Sequence, residues 1–149
     1  MAIQPGCVVE VFAAHITPPK RKYFVVCCLD PPLLGFFINS EIREYVARRP
    51  RLRAAQVSLL KAEHAFLRHD SWLDCSDVHT FTIEFLEREV RTNPPALLGQ
   101  LSVNALAAML VAVVNGYTLA GDHIRRICAA LGSNEQRSPR GSAPAHPGD

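Results

Sequence analysis

Long apolar runs are scarce in this chain. The longest, Ala105 to Val114, falls far short of the roughly 20 residues that a membrane-spanning helix needs, so no membrane partner is expected. A disulfide framework is also lacking. The five cysteines, Cys7, Cys27, Cys28, Cys75 and Cys128, are odd in number and two of them are adjacent. That pattern fits buried thiols in a reducing compartment better than a secreted scaffold. The opening Met-Ala-Ile-Gln-Pro-Gly has no charged segment followed by an apolar one, so no signal peptide is expected and the expected location is cytoplasmic. Charge of either sign is modest: charged residues make up 20% and the formal net charge is +2. Such a chain has no global pull on nucleic acid, and any such role must rest on a local patch.

Several catalytic motifs are missing too. Cys75 and His79 are spaced i, i+4, and His64 and His69 lie upstream, which are residue types that zinc accepts. No Cys-x-x-Cys or His-Glu-x-x-His accompanies them, so no metal and no cofactor are expected. No Gly-x-Ser-x-Gly element is present. Cys27 and Cys28 lie in the most apolar stretch, where burial disfavours a thiolate nucleophile.

What is present is a β-rich first part and a helical second part. The 149 residues are 48% hydrophobic, enough for the core of one domain, expected over residues 1–132. Cys7–Phe12 follows a Pro-Gly turn and is rich in β-branched residues, which predicts a strand. Tyr23–Cys28 is apolar on both faces, as a central strand is. Asp30-Pro31-Pro32 ends it, and Leu33–Ile38 returns as its partner. Val57–Leu59 and Ser71–Cys75 read as two further strands. Thr80–Phe85 reads either as a strand or as the start of a helix near Thr82. Between them, Pro50 splits Glu41–Ala55 into a short helix and a basic loop. Ser102 is an N-cap candidate for a helix carrying Leu106, Leu110, Val113 and Tyr117 on one face. Asp122 is a cap for a second helix, with Gly132 as its stop. Residues 133–149 have no apolar period and are expected to be disordered. The fold class is therefore mainly β with C-terminal helices, α+β.

The function-bearing candidate is the basic triplet Lys20-Arg21-Lys22, which leads into the central hairpin and faces Asn39-Ser40 at the hairpin's far end. Cations hold a phosphate, Arg in a bidentate way, and a hydroxyl and an amide donate to its oxygens. His15, five residues before Lys20, supplies an imidazole as a candidate base. A second candidate is the cluster Arg48, Arg49, Arg51 and Arg53, a pattern that binds nucleic acid or simply forms a solvated face.

The order of four segments resembles the MazF/PemK-like toxins of bacterial toxin–antitoxin systems, which are small SH3-like barrels with a C-terminal helix. These segments are Pro5–Val11, Arg21–Val26, Phe36–Ser40, and Ser71–Cys75 together with Leu98–Ser102. They span roughly residues 5 to 115. Lys22 stands where the family has proline and Asn39 where it usually has threonine. The resemblance implies metal-independent cleavage of single-stranded RNA, with the ribose 2′-hydroxyl attacking the adjacent phosphate. It implies a homodimer and a cognate antitoxin protein as partner. It casts Arg21 as the catalytic arginine and Ser40, or Asn39 beside it, as the residue holding a phosphate oxygen. His15 joins them by proximity, with Lys20, Lys22, Arg51 and Arg53 as RNA-binding cations. The alternative expectation is a non-catalytic SH3-like binding module, a degenerate toxin or phage-related adaptor.

Overall fold

The computed structural model describes residues 3–132, so the segment 133–149 lies outside the described residues. Its centre is an antiparallel meander of β1 (Cys7–Ala13), β2 (Lys20–Cys28) and β3 (Leu33–Asn39). β4 (Gln56–Leu59), β5 (Ser71–Asp74) and β7 (Leu97–Gln100) complete a sheet ordered β4-β5-β3-β2-β1-β7. A seventh strand, β6 (His79–Phe81), shares the outer edge of β3 with β5. Ile38 faces Leu73 and Gly35 faces His79, so a three-residue step on β3 is matched by six on the facing chain. Extra residues of this kind bend a sheet, and this one curls into a half-barrel.

Both faces of the central hairpin are covered. Val25, Cys27 and Phe36 pack with Met109, Val113 and Ile127, which come from α4 (Val103–Val114) and α5 (Gly121–Ile127). Val11, Phe24, Val26 and Phe37 face the opposite way and pack with Leu86 of α3 (Ile83–Thr92). Each buried phenylalanine or leucine in such a layer contributes about 1.5–3 kcal/mol. Gly35 makes the close strand approach possible. A Cβ there would lie 2.2 Å from the Val25 carbonyl oxygen and 2.3 Å from the Phe24 ring. The protein is thus mixed α/β, mainly an antiparallel sheet, with its longer helices in the second half. Among the described residues no helix is long and apolar enough to cross a membrane.

Several local expectations are corrected. The segment after Pro50 is not a loop: α1 (Glu44–Ala47) is followed by α2 (Pro50–Ala54), with proline at the first helical position. Proline is tolerated there because that N–H has no helical partner. Both readings of Thr80–Phe85 hold in part, since β6 ends at Phe81 and the Thr82 hydroxyl caps α3 by accepting from Phe85 N–H at 3.0 Å. Ser102 caps α4 as expected, accepting from Ala105 N–H at 3.0 Å. Val113 of the expected stripe is buried on α4 together with Ala105 and Met109, Leu106 and Leu110 pack half-buried against the same core, and Tyr117 lies beyond the helix end, 66% exposed. With so little polar marking on this helix, periodicity does not tell inside from outside. Asp122 sits within the first turn of α5 rather than at its cap.

His64 ties the loop before β5 to the start of α4. The ring is 1% exposed. Ser102 N–H donates to its Nε2 at 3.0 Å, so the ring proton sits on Nδ1, which donates to the Leu60 carbonyl at 2.8 Å. Removing the ring leaves a donor and an acceptor without partners, at a cost of roughly 1–3 kcal/mol. His64→Ala is therefore expected to lower the thermal midpoint by several degrees in a circular dichroism melt, whereas the exposed His69→Ala leaves it nearly unchanged.

Candidate functional site

The hairpin is buried at Phe24 and Phe36, but its open end emerges into solvent. Tyr23 pairs with Ile38. Continued outward, that antiparallel register places Lys22 opposite Asn39 and Arg21 opposite Ser40. Lys22 Nζ does donate to Asn39 Oδ1. Neighbouring residues on a strand point to opposite faces, so the pairs separate. Arg21 and Ser40 line one cleft, Asn39 lines another, and Lys22 borders both.

The first cleft, of about 310 Å³, is lined by Lys20, Arg21, Lys22, Tyr23, Ile38 and Ser40 from the hairpin, and by Leu67, Arg68, His69 and Ser71 from the chain leading into β5. Its charged walls are cationic, and among the described residues no carboxylate lines it. Arg21 is held from outside the cleft: Nε lies 3.2 Å from Glu10 Oε2, and Nη2 lies 3.6 Å from Glu89 Oε1. Nη1 takes part in neither pair. Exposed ion pairs contribute about 0–1 kcal/mol, so these pairs matter more for orientation than for stability.

Arg68, His69 and Ser71 complete this cleft, and no phosphate-binding motif in the sequence marks them. His69 Nδ1 donates to the Asp70 carbonyl at 2.9 Å, which leaves Nε2 with its lone pair free. Ser71 is buried and donates to the His69 carbonyl at 3.0 Å, fixing the turn. The only signal available in the sequence was a hydroxyl and a histidine bracketing Asp70 immediately before a strand.

The second cleft, of about 280 Å³, lies on the other side of the hairpin end and shares Lys20 and Lys22 with the first. Phe37, Asn39, Gln56, Asp74, Asp77 and His79 line it, with Arg43 and Val46 beside them. Burial pushes the Lys22 ammonium below its usual value of 10.5, and the charges of Lys20 and Arg43 push the same way. A cation in that position gains from a nearby anion.

His15 does not reach Arg21. Its Nε2 lies 3.1 Å from His79 Nδ1, and its ring stacks on Phe37 at 5.9 Å. Arg51 and Arg53 stand apart from both clefts. Arg51 lies over the Tyr117 ring at 3.5 Å, at the far end of α4. Arg48 and Arg49 are engaged locally, with Glu44 and with Tyr45. Of the candidate metal ligands, Cys75 and His64 are buried and His69 faces the first cleft. Among the described residues no group of three such side chains is placed to hold a metal ion. Burial pushes the Cys27 and Cys75 thiols well up, which disfavours the thiolate form that a nucleophile needs. No protein-family model and no curated protein matches this chain.

His79 carries a pH signature. Burial lowers its pKa from 6.5; Asp77, 3.4 Å away, and Asp74 oppose the shift, while His15 and Lys22 add to it. The folded state thus resists a proton that the unfolded chain accepts, and the unfolded state binds more protons below 6.5. The stability contributed is present in full above 6.5 and is lost as pH falls through the lower folded value. The thermal midpoint of the wild type is expected to fall more steeply than that of His79→Gln between about pH 7.5 and 5.5. Parallel pH profiles would contradict this.

Proposed function

We propose that the chain is a MazF/PemK-like endoribonuclease whose curled sheet is an SH3-like barrel and whose first cleft holds a phosphodiester of single-stranded RNA. The observation that carries this reading is the convergence of Arg21 and Ser40 with Lys20, Lys22, Arg68 and His69 on one cleft that no carboxylate of the described residues lines. Unpaired RNA is favoured as substrate because its splayed backbone fits an open cleft and its bases are free to be read.

In the proposed reaction His69 Nε2 takes the proton of the ribose 2′-hydroxyl, and the 2′-oxygen attacks the adjacent phosphorus. Arg21 and Ser40 donate to the non-bridging oxygens as charge builds on them. The bond from phosphorus to the 5′-oxygen breaks, and the leaving oxygen takes a proton from Lys22, whose lowered pKa makes it the readier acid. The products are a 2′,3′-cyclic phosphate and a free 5′-hydroxyl, and solvent restores both side chains. Positioned donors of this kind contribute on the order of 10²–10³ in rate.

Arg21 also favours a second reading. Its two ion pairs suit a fixed recognition residue of a non-catalytic SH3-like module, which binds RNA in the cleft without cutting it.

A homodimer belongs to the first reading. Val103, Val111 and Val114 on the outer face of α4 are 78%, 62% and 61% exposed, and α4 carries no charged residue. Glu63 accepts from Ser102 and Asn104 at one end of the helix, and Arg51 covers Tyr117 at the other. An antiparallel pairing of two copies therefore sets acid against base at both ends of an apolar seam. A cognate antitoxin would engage the same protein and cover its cationic cleft.

Purified protein is expected to cut single-stranded RNA in EDTA and to leave cyclic phosphate ends, with Arg21→Ala and His69→Ala each slower by about 10²–10³. Intact RNA after long incubation would overturn the nuclease reading, and RNA binding without cleavage would favour the module. Light scattering behind gel filtration is expected to give a dimer mass that Val111→Glu reduces to a monomer. A monomeric wild type would remove the dimer.

A further inference from the structure

A cluster of titratable side chains lies outside the reaction above, at the loop that joins β1 to β2. Ala13 pairs with Lys20, so residues 14–19 hinge on that pair. Thr17, Pro18 and Pro19 are exposed, and the loop meets the sheet through Ile16 and His15. The His15 ring stacks on Phe37 at 5.9 Å and lies edge-on to Phe81 at 5.6 Å. Its Nε2 lies 3.1 Å from Nδ1 of His79, whose own ring lies 4.2 Å from Phe37. Ile16, Thr17 and His79 also wall the second cleft, so the position of this loop sets how far that cleft is open.

The bond between the two imidazoles depends on their protonation. His79 Nε2 lies 3.4 Å from Asp77 Oδ2, which places a proton on that nitrogen and leaves Nδ1 to accept from His15. With one added proton the pair still holds a lone pair that can accept. With two, both facing nitrogens carry hydrogen, the bond is lost, and two like charges stand with ring centres 5.2 Å apart. Charged groups from each neighbouring element bear on this balance. Burial opposes a proton on His79 most; Asp77 before β6 and Asp74 of β5 favour it, and His15 and Lys22 of β2 oppose it. Lys20, Glu41 and Arg43 line the same cleft. While the rings are neutral, the carboxylates of Glu41, Asp74 and Asp77 match the cations of Lys20, Lys22 and Arg43.

We propose that the His15–His79 pair is a pH-operated latch, which holds the β1–β2 loop against Phe37 while either ring is neutral and releases it when both are protonated. The released loop swings about the Ala13–Lys20 pair and bares the side of Phe37 that His15 covers. The second cleft is then open and net cationic, where at neutral pH it is closed and balanced in charge. The latch does not depend on the chemistry of the first cleft and operates whether or not that cleft cuts RNA.

The test is nitrogen-15 relaxation with a histidine titration, both by NMR on the full chain. Order parameters of the Ile16 and Thr17 amides are expected near ~0.85 at about pH 7.5 and below ~0.6 at about pH 5. Amides of α4 are expected to stay near ~0.85 at both, which separates loop release from unfolding. The two imidazoles are expected to titrate in steps more than ~1 pH unit apart, because the second proton breaks the shared bond. His15→Phe keeps a ring on Phe37 and takes no proton, while His79→Gln keeps an acceptor for His15 and takes none. Each variant is expected to hold the loop ordered at both pH values. A wild-type loop of equal order at the two pH values overturns the latch, and so does either variant loosening as the wild type does. Two independent titrations, or loss of order in α4 along with the loop, overturn it as well. Cleavage of RNA that depends on Arg21 is read separately, so the latch and the nuclease reading fail on different results.

Discussion

Double-sided burial of the β2–β3 hairpin is the constraint from which the rest follows. Phe24 and Val26 press towards α3, while Val25, Cys27 and Phe36 press towards α4 and α5. A hairpin sandwiched in this way cannot slip by one residue, because the slip would exchange every side chain between two differently shaped layers. Gly35 tightens the constraint, since β2 passes so close that any Cβ would strike the Val25 carbonyl. The register is therefore fixed deep in the core and transmitted outward. Arg126 reinforces the closed end, donating to the Pro32 carbonyl at 2.8 Å and also to the Asp30 carbonyl.

At the open end the same register has a chemical consequence. Three consecutive cations leave the core on one strand, and an amide and a hydroxyl leave it on the other. Alternation sends Arg21 with Ser40 to one cleft and Asn39 to the other, with Lys22 bordering both. The flanking elements then give the two clefts different character. The approach to β5 adds Arg68 and His69 to the first, whereas β5 and its following loop add Asp74 and Asp77 to the second.

Much of this was legible in the sequence where a residue's neighbours along the chain decide its fate. Tyr23–Cys28 is apolar at every position, and that alone announced a strand buried on both faces. Ser102 and Thr82 announced helix starts because a capping hydroxyl acts within three residues. What was not legible depended on partners far along the chain. His15 stands five residues before Lys20, yet its loop folds back to meet His79, sixty-four positions away. Arg51 belongs by composition to a basic cluster, but Tyr117 draws it to the end of α4. On α4 the expected stripe packs inward at Val113, Leu106 and Leu110, while Ala105 and Met109 join the deepest positions because Leu, Val, Met and Ala on all sides offer no polar contrast.

The ion pairs of Arg21 connect the fold to its proposed chemistry. Glu10 comes from β1 and Glu89 from α3, so the guanidinium is oriented by elements on either side of it rather than by its own strand alone. A carboxylate pair at a half-exposed site is weak against an incoming phosphate in a wet cleft. It nevertheless biases the orientation of a long side chain before the ligand arrives. Lys22 is prepared in the opposite sense: crowded by Lys20 and Arg43 and partly desolvated, it is poised to gain from an anion or to release a proton. Under the proposed function, an arginine held in place beside a lysine under electrostatic pressure would serve to hold a phosphodiester in either reading, and to turn it over only in the nuclease reading.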